Sequence, residues 1–132
     1  MSQDRFALAL AQFEKALRTL HEVLALNEDV VVRDSIIMRF TYCFEAGWKA
    51  GYRWLRARGV DVDEGAYEVL PELFKRRLIA DAAAWGEMRK MRNQVAHTYD
   101  EGVALQVAAF ARSVAPGLLN ALLEQLRARA DV

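Results

Sequence analysis

Residues Val30 to Arg58 read VVVRDSIIMRFTYCFEAGWKAGYRWLRAR, and this run decides the fold. Phe40, Tyr42, Phe44, Trp48, Tyr52 and Trp54 all fall inside it. At about 100° per residue they cover more than half of a helix circumference. A helix that is apolar on most sides is buried on most sides. The run therefore reads as a central helix that touches its own bundle and a second subunit. Gly47 and Gly51 stand four apart, which either lets a neighbouring backbone come close or reflects simple tolerance of glycine. Glu45 and Lys49 have the spacing of a helical ion pair.

Upstream, Phe6, Leu10, Phe13, Leu17, Leu20 and Leu24 repeat in steps of three and four, a one-faced helix. Asn27, Glu28 and Asp29 form the turn between the two helices. Downstream, Gly59 is placed to end the central helix and Gly59 to Gly65 is a loop. A shorter helix is expected over Tyr67 to Ile79, with Pro71 either kinking it or marking its true start. Asp81 suits an N-cap for a helix over Ala82 to Ala96, with Trp85, Met88, Met91 and Val95 on its apolar side. Thr98 and Glu101 have capping-box spacing. A last helix over Asp100 to Arg129 turns Ala104, Val107, Ala108, Ala111, Val114, Leu118, Leu122 and Leu126 inward and is kinked by Pro116. The fold class is all-α: an up-and-down bundle of about five helices around a four-helix core.

Composition narrows the function. The 132 residues suit one domain, and 54% of them are apolar, an excess consistent with surface left for a partner. Lys+Arg and Asp+Glu both number 18. Broad binding to duplex DNA relies on a surplus of basic charge, so it is not expected here. Cys43 is the lone cysteine, and the two histidines are far apart, so neither a disulfide nor a metal site is expected. There is no glycine-rich phosphate loop, and no cofactor is implied. No signal peptide and no span of 18 apolar residues is seen, so the expected location is cytoplasmic. His21 reads as a surface histidine and Lys75-Arg76-Arg77 as a solvated patch.

The stretch with chemical promise is Arg92-Asn93-Gln94-Val95-Ala96-His97-Thr98-Tyr99. Arg92 lies four residues past Met88, on the apolar side of its helix, where a charge needs a partner or lines a groove. His97 falls at the helix end and Tyr99 on the turn. A guanidinium can hold a phosphate with paired hydrogen bonds and offset developing charge. A neutral imidazole can take a proton near pH 7. On spacing alone the plainer reading is an interfacial arginine paired with a carboxylate, for which Glu45 is a candidate, and a histidine that ends a helix.

The same stretch resembles the R-x4-H-x-Y motif of HEPN proteins, in the form that begins Arg-Asn. Other blocks resemble the nucleotidyltransferase substrate-binding branch of that superfamily: Asp34-Ser35, Arg39-Phe40, Phe44-Glu45 and Trp48-Lys49; Glu68-Val69, Phe74 and Leu78-Ile79; Trp85, Met88 and Asp100-Glu101. The similarity runs from about Arg33 to Leu126. It implies a HEPN-like helical dimer with Arg92 and His97 as catalytic residues near a shared cleft. Tyr99, Asn93 and Glu45 are then residues that bind substrate or, for Tyr99, accept a modification. It implies a separately encoded minimal nucleotidyltransferase as partner, in a two-component or toxin–antitoxin pair, with RNA or a nucleotide as substrate. The alternatives are a metal-independent ribonuclease toxin and a non-catalytic dimeric scaffold. Three positions depart from the pattern. The run before Arg92 is basic where relatives tend to be acidic, Arg77 stands where a glycine is common, and Ala66 where a proline is common.

Overall fold

A computed structural model describes residues 1–130. They form six α-helices: α1 (Ser2–Leu24), α2 (Val30–Ala57), α3 (Ala66–Lys75), α4 (Ala82–Gln94), α5 (Glu101–Ser113) and α6 (Ala115–Ala128). A short 3-10 turn, Val95–His97, joins α4 to the approach of α5.

The expected central helix is central. α2 touches each of the other five helices, and its most extensive contact is with α1. Asp29 starts it by accepting the Val32 amide at 2.8 Å. Phe40, Cys43, Phe44, Trp48, Trp54 and Leu55 are all buried. Fully burying one such large side chain contributes about 1.5–3 kcal/mol, so this one helix supplies much of the core. Phe40 meets Phe110 of α5 edge-on at 6.2 Å, and Phe44 meets Trp85 of α4 at 6.3 Å. The glycines are close-approach positions: a Cβ on Gly51 would sit 2.5 Å from Leu73 Cδ1, and one on Gly47 would sit 3.2 Å from the Phe13 ring.

The helix ends show how local chemistry sets the boundaries. At Gly59 and at Arg77 the chain turns through the left-handed region, with φ of 77° and 67°. In both places two backbone bonds close the end: Val60 to Leu55 and Gly59 to Arg56, then Leu78 to Leu73 and Arg77 to Phe74. Arg77, the departure noted above, thus occupies a conformation suited to glycine. Pro71 lies inside α3, which begins at Ala66 and stops at Lys75, short of the expected end at Ile79.

Two expectations need correction. Thr98 and Glu101 do not form a capping box. The Thr98 hydroxyl instead donates back to Val95 O at 2.9 Å, and Asp100 caps α5 by accepting the Val103 amide at 3.2 Å. The last helix is two helices, bent by 44° where α5 gives way to α6. Pro116 lies in the first turn of α6, where its missing N–H costs nothing. In α6 Leu122 and Leu126 are buried as expected, joined by Ala115, Leu119 and Leu123, while Val114 at the break is exposed. No single helix among the described residues is long and apolar enough to cross a membrane.

Candidate functional site

The geometry of the motif segment follows from how α4 is anchored. Asp81 caps it by accepting the Ala84 amide at 3.0 Å. Trp85 and Met88 are buried, with Met91 and Val95 packed at the margin of the core. That phase brings Arg92 out at the edge of the buried face, toward α2. There Arg92 Nε donates to Glu45 Oε1 at 2.8 Å. Trp48 Nε1 donates to the other oxygen, Glu45 Oε2, at 3.0 Å. The carboxylate is thus held from both sides.

The Arg92 and Glu45 side chains are 33% and 31% exposed, so water screens the pair. Its contribution to stability is of the order of 0–1 kcal/mol. Its importance is orientation. With Nε engaged, the Nη groups make no hydrogen bond among the described residues and remain available to an oxyanion.

Beyond Gln94 the helix tightens into the 3-10 turn, and His97 ends it. His97 and Asn93 are exposed. Tyr99 is 86% exposed, and its ring stands edge-on to His97 with centroids 6.1 Å apart. The far end of the segment is tied down by Glu101, which accepts a hydrogen bond from Arg33 Nη1. This bond holds the Arg33 guanidinium above its ordinary, already high pKa. α2 therefore clamps the motif at both ends, receiving Arg92 on Glu45 and reaching Glu101 with Arg33.

Between α2 and the 3-10 turn lies a groove of about 350 Å³. Asp34, Met38, Thr41 and Tyr42 line one side; Val95, Thr98 and Tyr99 line the other. Arg92 and His97 are not part of that lining. The structure thus joins the expected residues as two pairs, Glu45 with Arg92 and His97 with Tyr99, and among the described residues no hydrogen bond links the pairs. Met38 and Tyr42 are 50% and 53% exposed, an uncovered apolar strip on the otherwise buried α2.

Comparison with known proteins places this geometry. Residues 4–128 match the family model described as "Nucleotidyltransferase substrate binding protein like". The chain belongs to this family. The chain is 34% identical over 109 residues to a Haemophilus influenzae protein named "Probable ribonuclease HepT", covering 75% of this chain and 73% of that one. A crystal structure from Thermus thermophilus is similar with a TM-score of 0.73 and 34% identity, over 91% of this chain and 99% of the other. A second structure, from H. influenzae and described as revealing the fold of a substrate binding domain of a nucleotidyltransferase, is similar with a TM-score of 0.64 and 26% identity, over 95% and 98% of the two chains. The HEPN-type, substrate-binding family read from the motif blocks is borne out, as is the all-helical bundle.

Sequence reasoning offered Glu45 two partners, Lys49 and Arg92, and the structure pairs it with Arg92. Lys49 lies over the Trp48 ring at 5.8 Å, while Arg92 and the indole each donate to one Glu45 oxygen. Two supporting residues were missed. Trp48 is three residues from Glu45, a helical spacing that signals contact. Arg33 shares a helical stripe with Ile36, Ile37 and Phe40, and a charge on such a stripe calls for a partner. Neither signal says which carboxylate answers. Among the described residues no group of three metal-binding side chains comes together.

Proposed function

We propose that this chain is the substrate-binding helical subunit of a two-component system, working as a dimer with a separately encoded minimal nucleotidyltransferase. The observation that carries the reading is the clamped motif: a part-exposed Arg92 guanidinium held by Glu45, on the segment that goes on to an exposed His97 and Tyr99. Such a surface suits a phosphate-bearing substrate, RNA or a nucleotide. The uncovered Met38–Tyr42 strip beside it supports a second copy of the chain at the same place. Tyr99 is accessible enough to act as an acceptor. Its hydroxyl oxygen would attack the α-phosphate of ATP, releasing pyrophosphate, with the phenolic proton passing to a base.

A second reading is a metal-independent ribonuclease, the activity named for the H. influenzae relative. Neutral His97 would take the proton from a 2′-hydroxyl, that oxygen would attack the adjacent phosphorus, and the 5′-oxygen would leave. Arg92 would offset the charge that develops on the phosphate.

One set of measurements separates the two. The chain is expressed alone and with its nucleotidyltransferase, and growth and RNA cleavage in EDTA are followed. The binding-subunit reading expects no cleavage by the isolated chain. Cleavage that disappears in His97→Ala would establish the nuclease in its place. Light scattering at micromolar concentration is expected to show a dimer; a monomer would remove the shared cleft.

A further inference from the structure

At the opposite end of α2 from Arg33, a second cluster of cations surrounds a small polar pocket of about 150 Å³. Arg5 and Ser2 of α1 form one wall; Tyr52, Arg53 and Arg56 of α2 form the other. Arginine keeps its charge at every accessible pH, so the three guanidiniums repel one another permanently. Among the described residues one carboxylate answers them: Asp61 Oδ1 lies 3.3 Å from Arg56 Nη1, and its side chain is fully exposed. Asp4, the nearest acid along α1, lies 3.9 Å from the Met1 amine instead. Arg53 rests over the Tyr52 ring at 5.3 Å, which orients its planar group. Arg5 and Arg53 have no carboxylate partner among the described residues. Two positive charges are therefore left uncompensated around a concave, polar space.

We propose that this pocket is a binding site for a phosphomonoester dianion, separate from the Arg92 site. Two surplus charges match a dianion better than the single charge of a backbone diester. The fork geometry of arginine suits terminal phosphate oxygens. The small volume admits a phosphate group and leaves whatever carries it outside. Inorganic phosphate and the 5′-phosphate of a nucleotide share this chemistry.

Isothermal titration of the full chain carrying Arg92→Gln, which removes the other arginine proposed to meet phosphate, tests the assignment at fixed ionic strength, with inorganic phosphate, AMP and dimethyl phosphate as probes. The expected result is one phosphate per chain, with dimethyl phosphate at least tenfold weaker. Adding Arg5→Gln and Arg53→Gln to that background lowers the phosphate affinity at least tenfold, while Arg18→Gln, a surface arginine further along α1, leaves it unchanged. AMP tighter than phosphate assigns the site to a nucleotide; equal affinity assigns it to the free anion. Unchanged affinity after Arg5→Gln and Arg53→Gln, or an equal loss with Arg18→Gln, would overturn the proposal. Arg5 is exposed, so Arg5→Gln by itself keeps the test usable if the double variant fails to fold.

Discussion

The two halves of α4 differ in kind. The first half is foundation: Asp81 caps it, and Trp85 and Met88 are sealed in the core at 3% and 0% exposure. The second half and the turn after it are display: Arg92 is one-third exposed, and His97 and Tyr99 stand in water. The difference teaches how a short exposed motif holds its geometry. It is set by the buried turns before it and by two cross-links to α2, not by packing of its own. Binding and catalytic groups on solvent-facing segments need such a rigid support.

The largest test of the comparison is Trp85→Ala. Removing a buried indole should cost about 3–5 kcal/mol, read as a fall in the denaturant midpoint. A loss below about 1 kcal/mol would mean that the first half of α4 supports nothing.

A second test uses Cys43, on the buried face of α2. Burial pushes its thiol up to about 12. The native protein should resist a thiol reagent up to about pH 9 and react once unfolded. The sign for stability follows: the unfolded chain loses the proton first, near pH 8.5. Stability is therefore whole below that pH and falls as pH rises toward 12, by up to about 1.4 kcal/mol per pH unit. Rapid labelling of the native protein at about pH 8 would show that the foundation opens readily.

A smaller effect is expected from Asp81→Ala, which removes the cap and should cost about 1 kcal/mol in the same unfolding measurement. Smallest on stability is His97→Ala. An exposed histidine whose ring makes no hydrogen bond among the described residues should change unfolding by less than about 0.5 kcal/mol. Its effect belongs to function, and a large loss of stability would move His97 from display to foundation.

Much of the fold was legible in the sequence, for definite reasons. The aromatic density of α2 marked it as central because rings spread over more than half of a helix circumference have to be covered from several sides. Gly59 and Asp81 marked helix ends because their chemistry allows little else. The 3-10 turn was not legible, since Thr98 can bond forward as a cap or backward to Val95, and only the packed chain decides. The bend at Val114 was half legible: Pro116 announced a break but not its place, so Val114 was read as inward although it faces water, while Leu122 and Leu126 were read correctly. At the candidate site, the chemical types of Arg92, His97 and Tyr99 could be read directly. The partner of Arg92 could not be settled, because Glu45 had two claimants, Lys49 in its own helix and Arg92 across the bundle. Local spacing favours the first. Tertiary proximity and the Trp48 indole decide for the second.

The central claim is that this chain presents its exposed α4 end to a nucleotidyltransferase partner. Co-expression of the two proteins, followed by size exclusion with static light scattering, tests it most directly. A complex of fixed stoichiometry is expected, weakened by Arg92→Ala without loss of the helical fold. Separate elution of two unassociated proteins, at concentrations well above micromolar, would contradict it.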